Sequence, residues 1–128
     1  ENGLQIVFES DFSAKELCRF IGRLNPRLFG INYDIGNSAA LGFDSTEEIN
    51  HYGDRIINVH VKDRMLRGAT VPLGTGNANF ETVFNNLNKI KYSGNYILQT
   101  ARAKNNNHSE ILSKFRDMTI NWIRNSGS

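Results

Sequence analysis

The sequence predicts an α/β protein with parallel strands, because one pattern recurs four times along its 128 residues. In each repeat, a short apolar segment of strand length precedes a polar turn and a segment with the apolar spacing of a helix. We find no hairpin signal between successive strands. Strands that alternate with helices are joined by right-handed crossovers and lie parallel in one sheet. We therefore expect a single β/α domain at residues 1–124 and a flexible tail at residues 125–128.

The first unit begins with a strand at residues 4–8. Ser13 and Glu16 have the spacing of a capping box for the helix that follows. Apolar residues then recur at i, i+3, i+4 and i+7. They place on one helix face Leu17, Phe20, Ile21 and Leu24. Pro26 ends this helix.

The second unit begins with a strand at residues 30–34. Its helix is short and has weak signals: Ser45 and Glu48 are the candidate caps, and Gly53 is the candidate end. The third strand is predicted at residues 55–61.

A long glycine-containing loop follows the third strand and precedes another helix. One face of that helix carries Phe80, Val83, Phe84 and Leu87. The fourth strand is predicted at residues 95–100. The last helix is predicted to bury Ile111, Phe115, Met118 and Trp122.

Side chains alternate between the two faces of a strand, and here each strand has one apolar face. In the third strand, Ile57, Val59 and Val61 oppose Ile56, Asn58 and His60. We expect the apolar faces to lie beneath the helices. The opposite faces become polar at the C-terminal strand ends, which carry Glu9, Asp34, His60 and Gln99.

Four polar strand ends indicate a functional site, because parallel β/α folds build their sites at the C-terminal edge of the sheet. Two carboxylates, an imidazole and an amide oxygen suit a divalent metal such as Mn²⁺, Mg²⁺ or Co²⁺. Taken singly, a strand histidine is also compatible with a hydrogen-bonded core residue, and a strand-end aspartate with a helix cap. The recurrence at all four strand ends favours the site.

Composition and charge exclude other classes. Fifteen basic and thirteen acidic side chains give a formal charge of +2, too small to indicate a nucleic-acid or membrane-surface partner. The single cysteine, Cys18, excludes an intramolecular disulfide and a thiolate metal cage. The longest apolar runs have only strand length, so no segment resembles a signal peptide or a membrane span. A reducing, cytoplasmic setting is therefore expected.

Five segments carry a family resemblance: VFESDF, NYDIGNSAALGFD, RIINVHVKDR, VPLGTGNANFETVFNNL and YSGNYILQTA. In this order they resemble the second half of the sugar-phosphate isomerase/epimerase family, which has the xylose-isomerase-like (β/α)₈ barrel. The resemblance implies a (β/α)₄ half of a TIM barrel, corresponding to the fifth to eighth strands. It also implies a small-molecule partner, a sugar or a sugar phosphate.

In this family, Glu, Asp, His and Glu at four strand ends hold one divalent metal. The two glutamates move a proton beside the substrate carbonyl, by enediolate chemistry. The resemblance places Glu9, Asp34 and His60 at the first three metal positions and Gln99 at the fourth. Glu9 and Gln99 thereby occupy the two catalytic positions. Glutamine offers an oxygen to a metal but accepts no proton in the useful pH range, so one of the two bases is missing.

Two neighbouring features have alternative interpretations. Lys62 and Asp63 follow His60, and the resemblance places them near the substrate, whereas the residues alone fit a solvated loop equally well. Gly74 and Gly76 fit either a backbone approach to a phosphate or, more simply, a tight turn.

A complete barrel takes about 250 residues. Four units leave two edge strands with unpaired backbone groups and an uncovered inner face. Two copies related by a two-fold axis along the barrel would close eight strands, so we expect a homodimer. The alternatives are a fragment of a longer protein, or a second polypeptide that supplies the other half.

These features favour a metal-dependent sugar or sugar-phosphate isomerase or epimerase, or an inactive descendant of one. The alternative is a non-catalytic half-barrel that binds a sugar-like ligand or serves as an assembly subunit. A phosphodiester-cleaving enzyme, as found in the same group, is disfavoured because it needs more metal ligands and the near-neutral charge offers little for DNA.

Overall fold

A computed structural model describes residues 3–127 and confirms an α/β fold with a four-stranded parallel sheet. The strands are β1 (Ile6–Phe8), β2 (Phe29–Asp34), β3 (Ile56–Val61), β4 (Asp63–Arg64), β5 (Thr70–Val71) and β6 (Asn95–Leu98). The helices are α1 (Ala14–Gly22), α2 (Ile35–Leu41), α3 (Ser45–Tyr52), α4 (Phe80–Lys89) and α5 (His108–Asn125). The main sheet has the order β1-β2-β3-β6, and all three pairs are parallel. Residues 1–2 of the predicted domain and residue 128 of the predicted tail lie outside the described residues.

The predicted start of α1 is confirmed in detail. The Ser13 hydroxyl accepts the Glu16 N–H, and the Glu16 carboxylate accepts the Ser13 N–H, which completes the capping box. Leu17 and Ile21 are buried on the predicted face. Phe20 stays 37% exposed, with its ring edge-on to Phe8 at a centroid distance of 5.2 Å.

The second unit contains two helices rather than the single one predicted. The first of them, α2, begins directly after β2, because Asp34 is its N-cap and accepts the Asn37 N–H at 2.9 Å. The N-cap of α3 is Asp44 rather than Ser45. Glu48 takes no part in capping, since its side chain is turned into the core and is only 2% exposed.

Helices α4 and α5 cover the other end of the sheet as predicted. All four residues of the predicted α4 face are buried: Phe80, Val83, Phe84 and Leu87. On α5, Phe115 is fully buried, while Ile111, Met118 and Trp122 are partly buried against the same core. Trp122 stacks on Phe80 with a centroid distance of 4.3 Å, which joins the two helices.

A bulge interrupts the pairing of β2 with β3. Ile31 pairs with Ile56, but the next pair is Asn32 with Asn58, so Ile57 has no partner across the ladder. One extra residue in a strand reverses the facing of the residues before it.

The bulge corrects the predicted facing at the start of β3. Ile56 lies in the buried core beneath the helices, where we had placed Ile57. Ile57 instead lies against Gly30, where an added Cβ would be 2.7 Å from its side chain. Val59 and Val61, beyond the bulge, are both completely buried as predicted.

The loop after β3 contains a small antiparallel hairpin, β4 with β5, that the sequence did not predict. Asp63 organises this loop and is 0% exposed. Its carboxylate accepts the N–H groups of Gly74 and Gly76 at 2.9 Å and of Ala78 at 3.1 Å. Gly76 must lack a side chain, because an added Cβ would collide with the Asp63 carboxylate.

The sheet face opposite the helices is open. Two apolar side chains on it, Val7 and Ile97, are 40% and 45% exposed. β1 and β6 form the two edges of the sheet. Within residues 3–127, no helix is both long and apolar enough to cross a membrane.

Replacing Asp63 by asparagine is expected to destabilise the domain by about 1–3 kcal/mol, because an NH₂ group would face a backbone N–H and leave it without an acceptor. Urea unfolding measures this difference. Asp54→Asn, the same exchange at an exposed position, is the control and should change stability little. Equal stability of the two variants would contradict the role assigned to Asp63.

Candidate metal centre

Three of the predicted strand-end side chains meet at one point. Glu9 follows β1, Asp34 ends β2, and His60 lies near the end of β3. One ligand atom from each lies within 4.8 Å of the other two. The parallel register explains this, since Asp34 pairs directly with His60 across β2 and β3.

The Asp34 carboxylate is buried, and its two oxygens face different groups. Oδ1 accepts the Asn37 N–H and caps α2. Oδ2 is buried without any hydrogen-bond partner. The nearest cationic or imidazole nitrogens are Lys62 Nζ at 3.5 Å and His60 Nδ1 at 3.7 Å. These longer contacts leave Oδ2 without a hydrogen bond within residues 3–127, so the oxygen can accept a ligand.

Gln99, the fourth predicted residue, follows β6 and contacts His60. Its backbone N–H continues the β3–β6 pairing by donating to the Val61 carbonyl at 3.0 Å. Its side-chain Oε1 accepts from His60 Nδ1 at 3.0 Å. Asn32 Nδ2 lies 3.4 Å from both ring nitrogens. Gln99 therefore lies beside the three-residue cluster and helps to orient the imidazole.

Glu9 is exposed, and its carboxylate interacts with the charges of Asp34, His60 and Lys62. Desolvation raises the pKa of Glu9 above its ordinary value, and the neighbouring Asp34 carboxylate raises it further. The charges of His60 and Lys62 act in the opposite direction. Two carboxylates that repel each other across a short gap are stabilised when a cation lies between them.

Lys62 reaches the site because Gly36 leaves room for it. A Cβ added at Gly36 would lie 2.7 Å from Lys62 Cγ and 2.9 Å from its backbone carbon. Gly36 belongs to a D-x-G-N segment, residues 34–37. It thus permits the close crossing of α2 and the chain after β3. Lys62 consequently places its ammonium beside Asp34, and a substrate contact by Lys62 stays a prediction.

Asp63, which the resemblance also places near the substrate, is buried in the loop after β3. Its carboxylate is buried and bonded to three backbone amides of the loop. The amides of Gly74 and Gly76 bond the same carboxylate, so the tight turn, and not a free phosphate cradle, describes this glycine pair.

Sequence reasoning missed two residues that support Glu9. Asn37 donates from Nδ2 to Glu9 Oε1 at 3.3 Å, and Arg64 donates to Asn37 Oδ1 at 2.9 Å. Arg64 is itself held by two bonds to the Gly68 carbonyl. Asn37 lies in the D-x-G-N segment, so its position was visible. Its bond to Glu9 depends on a strand 28 residues away.

The residues present fit a hard or intermediate divalent cation. They offer carboxylate oxygens from Glu9 and Asp34 and an imidazole nitrogen from His60, which are donors of Mn²⁺, Co²⁺ and Mg²⁺ sites. The amide oxygen of Gln99 lies beside them, bonded to His60. Asp34 Oδ2 points the same way, because it is a buried acceptor that makes no hydrogen bond within residues 3–127.

Comparison with known proteins identifies the family. The family model described as a xylose isomerase-like TIM barrel matches residues 1–119. The inosose dehydratase of Geobacillus kaustophilus is 29% identical over 105 residues, which cover 68% of this chain and 34% of that protein. An L-ribulose-5-phosphate 3-epimerase of Salmonella typhi is 32% identical over 102 residues, covering 79% and 34%. The chain thus spans about a third of the length of these relatives.

Solved structures show the same fold. A xylose isomerase domain protein from Planctomyces limnophilus superposes with a TM-score of 0.75 at 22% identity, covering 92% of this chain and 45% of that one. An L-ribulose 3-epimerase superposes with a TM-score of 0.62 at 19% identity, covering 94% and 47%. The chain therefore belongs to the xylose isomerase-like TIM barrel family, of which it contains a half-barrel.

Proposed function

We propose that this chain carries the metal-binding half of a sugar or sugar-phosphate isomerase or epimerase. The observation that carries the proposal is the convergence of Glu9, Asp34 and His60, with ligand atoms within 4.8 Å of one another. Relatives named as an L-ribulose-5-phosphate 3-epimerase and an inosose dehydratase support a sugar or a sugar phosphate as the substrate class.

Each residue has a role in this proposal. Glu9, Asp34, His60 and Gln99 hold a divalent ion, which when bound polarises neighbouring carbonyl and hydroxyl oxygens of the substrate. Glu9 moves the proton at the adjacent carbon. Asn37 holds the Glu9 carboxylate in place. Lys62 offers its ammonium to an anionic group of the substrate.

Gln99 favours a second candidate function. Because an amide cannot replace a carboxylate as a base, a two-base epimerisation is incomplete in this chain alone. A non-catalytic half-barrel that binds a sugar-like ligand, or that acts as an assembly subunit, is therefore the alternative. Both functions suit a cytoplasmic protein.

We further propose that a second copy of the chain closes the barrel. The supporting observations are the unpaired edges of β1 and β6 and the exposed apolar side chains Val7 and Ile97 on the open face. A two-fold axis along the barrel would pair each β1 with the partner's β6 and cover both open faces.

Mn²⁺ or Co²⁺ is expected to stabilise the protein, by about 2.7 kcal/mol at a hundredfold excess over its Kd. His60→Ala should abolish this effect, because it removes the nitrogen ligand. The rise in Tm with metal concentration is the measurement. His51→Ala, on helix α3, is the control and should respond like the wild type. If neither Mn²⁺ nor Co²⁺ changes the Tm of the wild type, the metal site is refuted.

Gln99→Glu is expected to tighten Mn²⁺ binding by about tenfold, or about 1.4 kcal/mol, because a carboxylate replaces an amide. It should also raise the rate of solvent deuterium incorporation into keto-sugars by on the order of a hundredfold, because it supplies the missing base. Calorimetry and mass spectrometry measure the two effects.

Gln5→Glu is the matched control for this experiment, since Gln5 precedes β1 at the opposite end of the sheet and the exchange adds the same charge. It should change neither quantity. Deuterium incorporation by the metal-loaded wild type would defeat the non-catalytic alternative, and none by Gln99→Glu with metal bound would favour it.

Light scattering after size exclusion is expected to give twice the 14.5 kDa mass of one chain. Val7→Lys should shift the protein toward the monomer, because it places a charge on the face that the partner covers. Leu41→Lys is the control: Leu41 is 43% exposed but lies at the end of α2, away from the open face. A stable wild-type monomer at micromolar concentration would exclude the homodimer.

A further inference from the structure

A buried glutamate outside the metal centre has no partner of opposite charge. Glu48 on α3 is 2% exposed, and none of the salt bridges found within residues 3–127 involves it. Three hydroxyl groups surround its carboxylate instead. Tyr33 donates to Oε1 at 2.9 Å, while Ser38 and Tyr52 donate to Oε2 at 2.7 Å and 3.0 Å.

This arrangement fits an ionised carboxylate, which only accepts hydrogen bonds and can take all three. Burial raises the pKa of Glu48, and the bonds from Ser38, Tyr33 and Tyr52 counteract that shift. Burying a carboxylate far from any cation is costly, and an apolar residue would serve a purely structural core better. The position of the three donors suggests what the carboxylate does.

Two of the donors flank the metal ligand Asp34. Tyr33 immediately precedes Asp34 on β2, and Ser38 lies one turn beyond it on α2. Their hydroxyls bond opposite oxygens of the Glu48 carboxylate. Glu48 therefore holds the chain on both sides of Asp34.

We call the bonds from Tyr33 and Ser38 to Glu48 the clamp. The clamp acts on the junction between β2 and α2, where the chain turns sharply. β2 ends at Asp34 and α2 begins at Ile35, so no loop residue absorbs strain between them. The cap bond from the Asn37 N–H fixes Asp34 Oδ1, which leaves Oδ2 beside His60 and Lys62. A shift of α2 relative to β2 would therefore rotate Oδ2 out of the cluster.

We propose that Glu48 is a positioning residue, which fixes the orientation of Asp34 by holding Tyr33 and Ser38 at the same time. The metal to be bound rests on the proposed function, but the clamp itself is a property of the metal-free chain. Glu48 touches neither metal nor substrate. It acts through the strand–helix junction.

The test compares Mn²⁺ binding to folded variants. Glu48→Gln is expected to raise the Mn²⁺ Kd about tenfold, because the amide has one acceptor oxygen instead of two and no charge, so the bonds to Tyr33 and Ser38 become weaker neutral ones. Ser38→Ala, which removes only the bond to α2, should weaken binding in the same direction and is the variant to use if Glu48→Gln does not fold. Calorimetric titration gives each Kd, and urea unfolding gives each stability.

Tyr52→Phe is the matched control. It also removes one hydroxyl bond to Glu48, but Tyr52 lies on α3 and is not part of the Asp34 segment. Its Mn²⁺ Kd should stay within about twofold of the wild type even if its stability falls. A structural role alone would make Kd follow stability across the three variants, and that result would overturn the proposal. Wild-type Kd in Glu48→Gln would do so as well.

A second measurement tests the clamp without metal. Hydrogen exchange of the Asn37 amide, which donates to Asp34 Oδ1, should be faster in Glu48→Gln and Ser38→Ala but not in Tyr52→Phe. If the wild type binds no Mn²⁺, the proposed function fails and this exchange rate decides the inference alone. Faster exchange in both variants then supports the clamp, and an unchanged rate overturns it.

Discussion

The carboxylate of Asp34 joins the fold of this chain to its candidate chemistry, because its two oxygens face different partners. Oδ1 caps α2, so the strand passes into the helix without a loop. Oδ2 stays buried without a hydrogen bond in the described residues, beside His60 and Lys62. A side chain used in both ways couples the geometry of the site to the packing of the helix. Any residue that positions α2 on the sheet also positions a candidate metal ligand.

The open face is the second constraint on the molecule. A sheet that is buried on one side only exposes apolar side chains such as Val7 and Ile97 to water. It also leaves Asn58 Oδ1 buried without a hydrogen-bond partner, next to the Asn32 amide to which Asn58 donates. The exposure of the apolar side chains is the physical reason to expect a partner on this face.

The sequence predicted the elements whose signals are local. Periodicity located all four strands of the main sheet and the buried faces of α1 and α4, and facing brought Glu9, Asp34 and His60 to one edge. Predictions failed where a distant contact decides the outcome. The alternation of apolar and polar residues does not reveal a bulge, so the predicted facing of the side chains at the start of β3 was wrong. Ser45 and Glu48 have the S-x-x-E spacing of a capping box, so we predicted a cap there. Glu48 instead points into the core, where it accepts hydrogen bonds from Tyr33 and Tyr52. Likewise, nothing local indicated that the loop beyond Asp63 folds back upon it.

Because residue 99 is glutamine rather than glutamate, the site carries less negative charge both without and with a metal. Without metal, burial raises the pKa of Glu9 and repulsion from the Asp34 carboxylate raises it further, while the Lys62 ammonium offsets part of that repulsion. A carboxylate in place of Gln99 would add to the repulsion, whereas the amide adds none and bonds His60 at 3.0 Å. The amide therefore makes the metal-free site easier to form and weakens its attraction for a divalent cation.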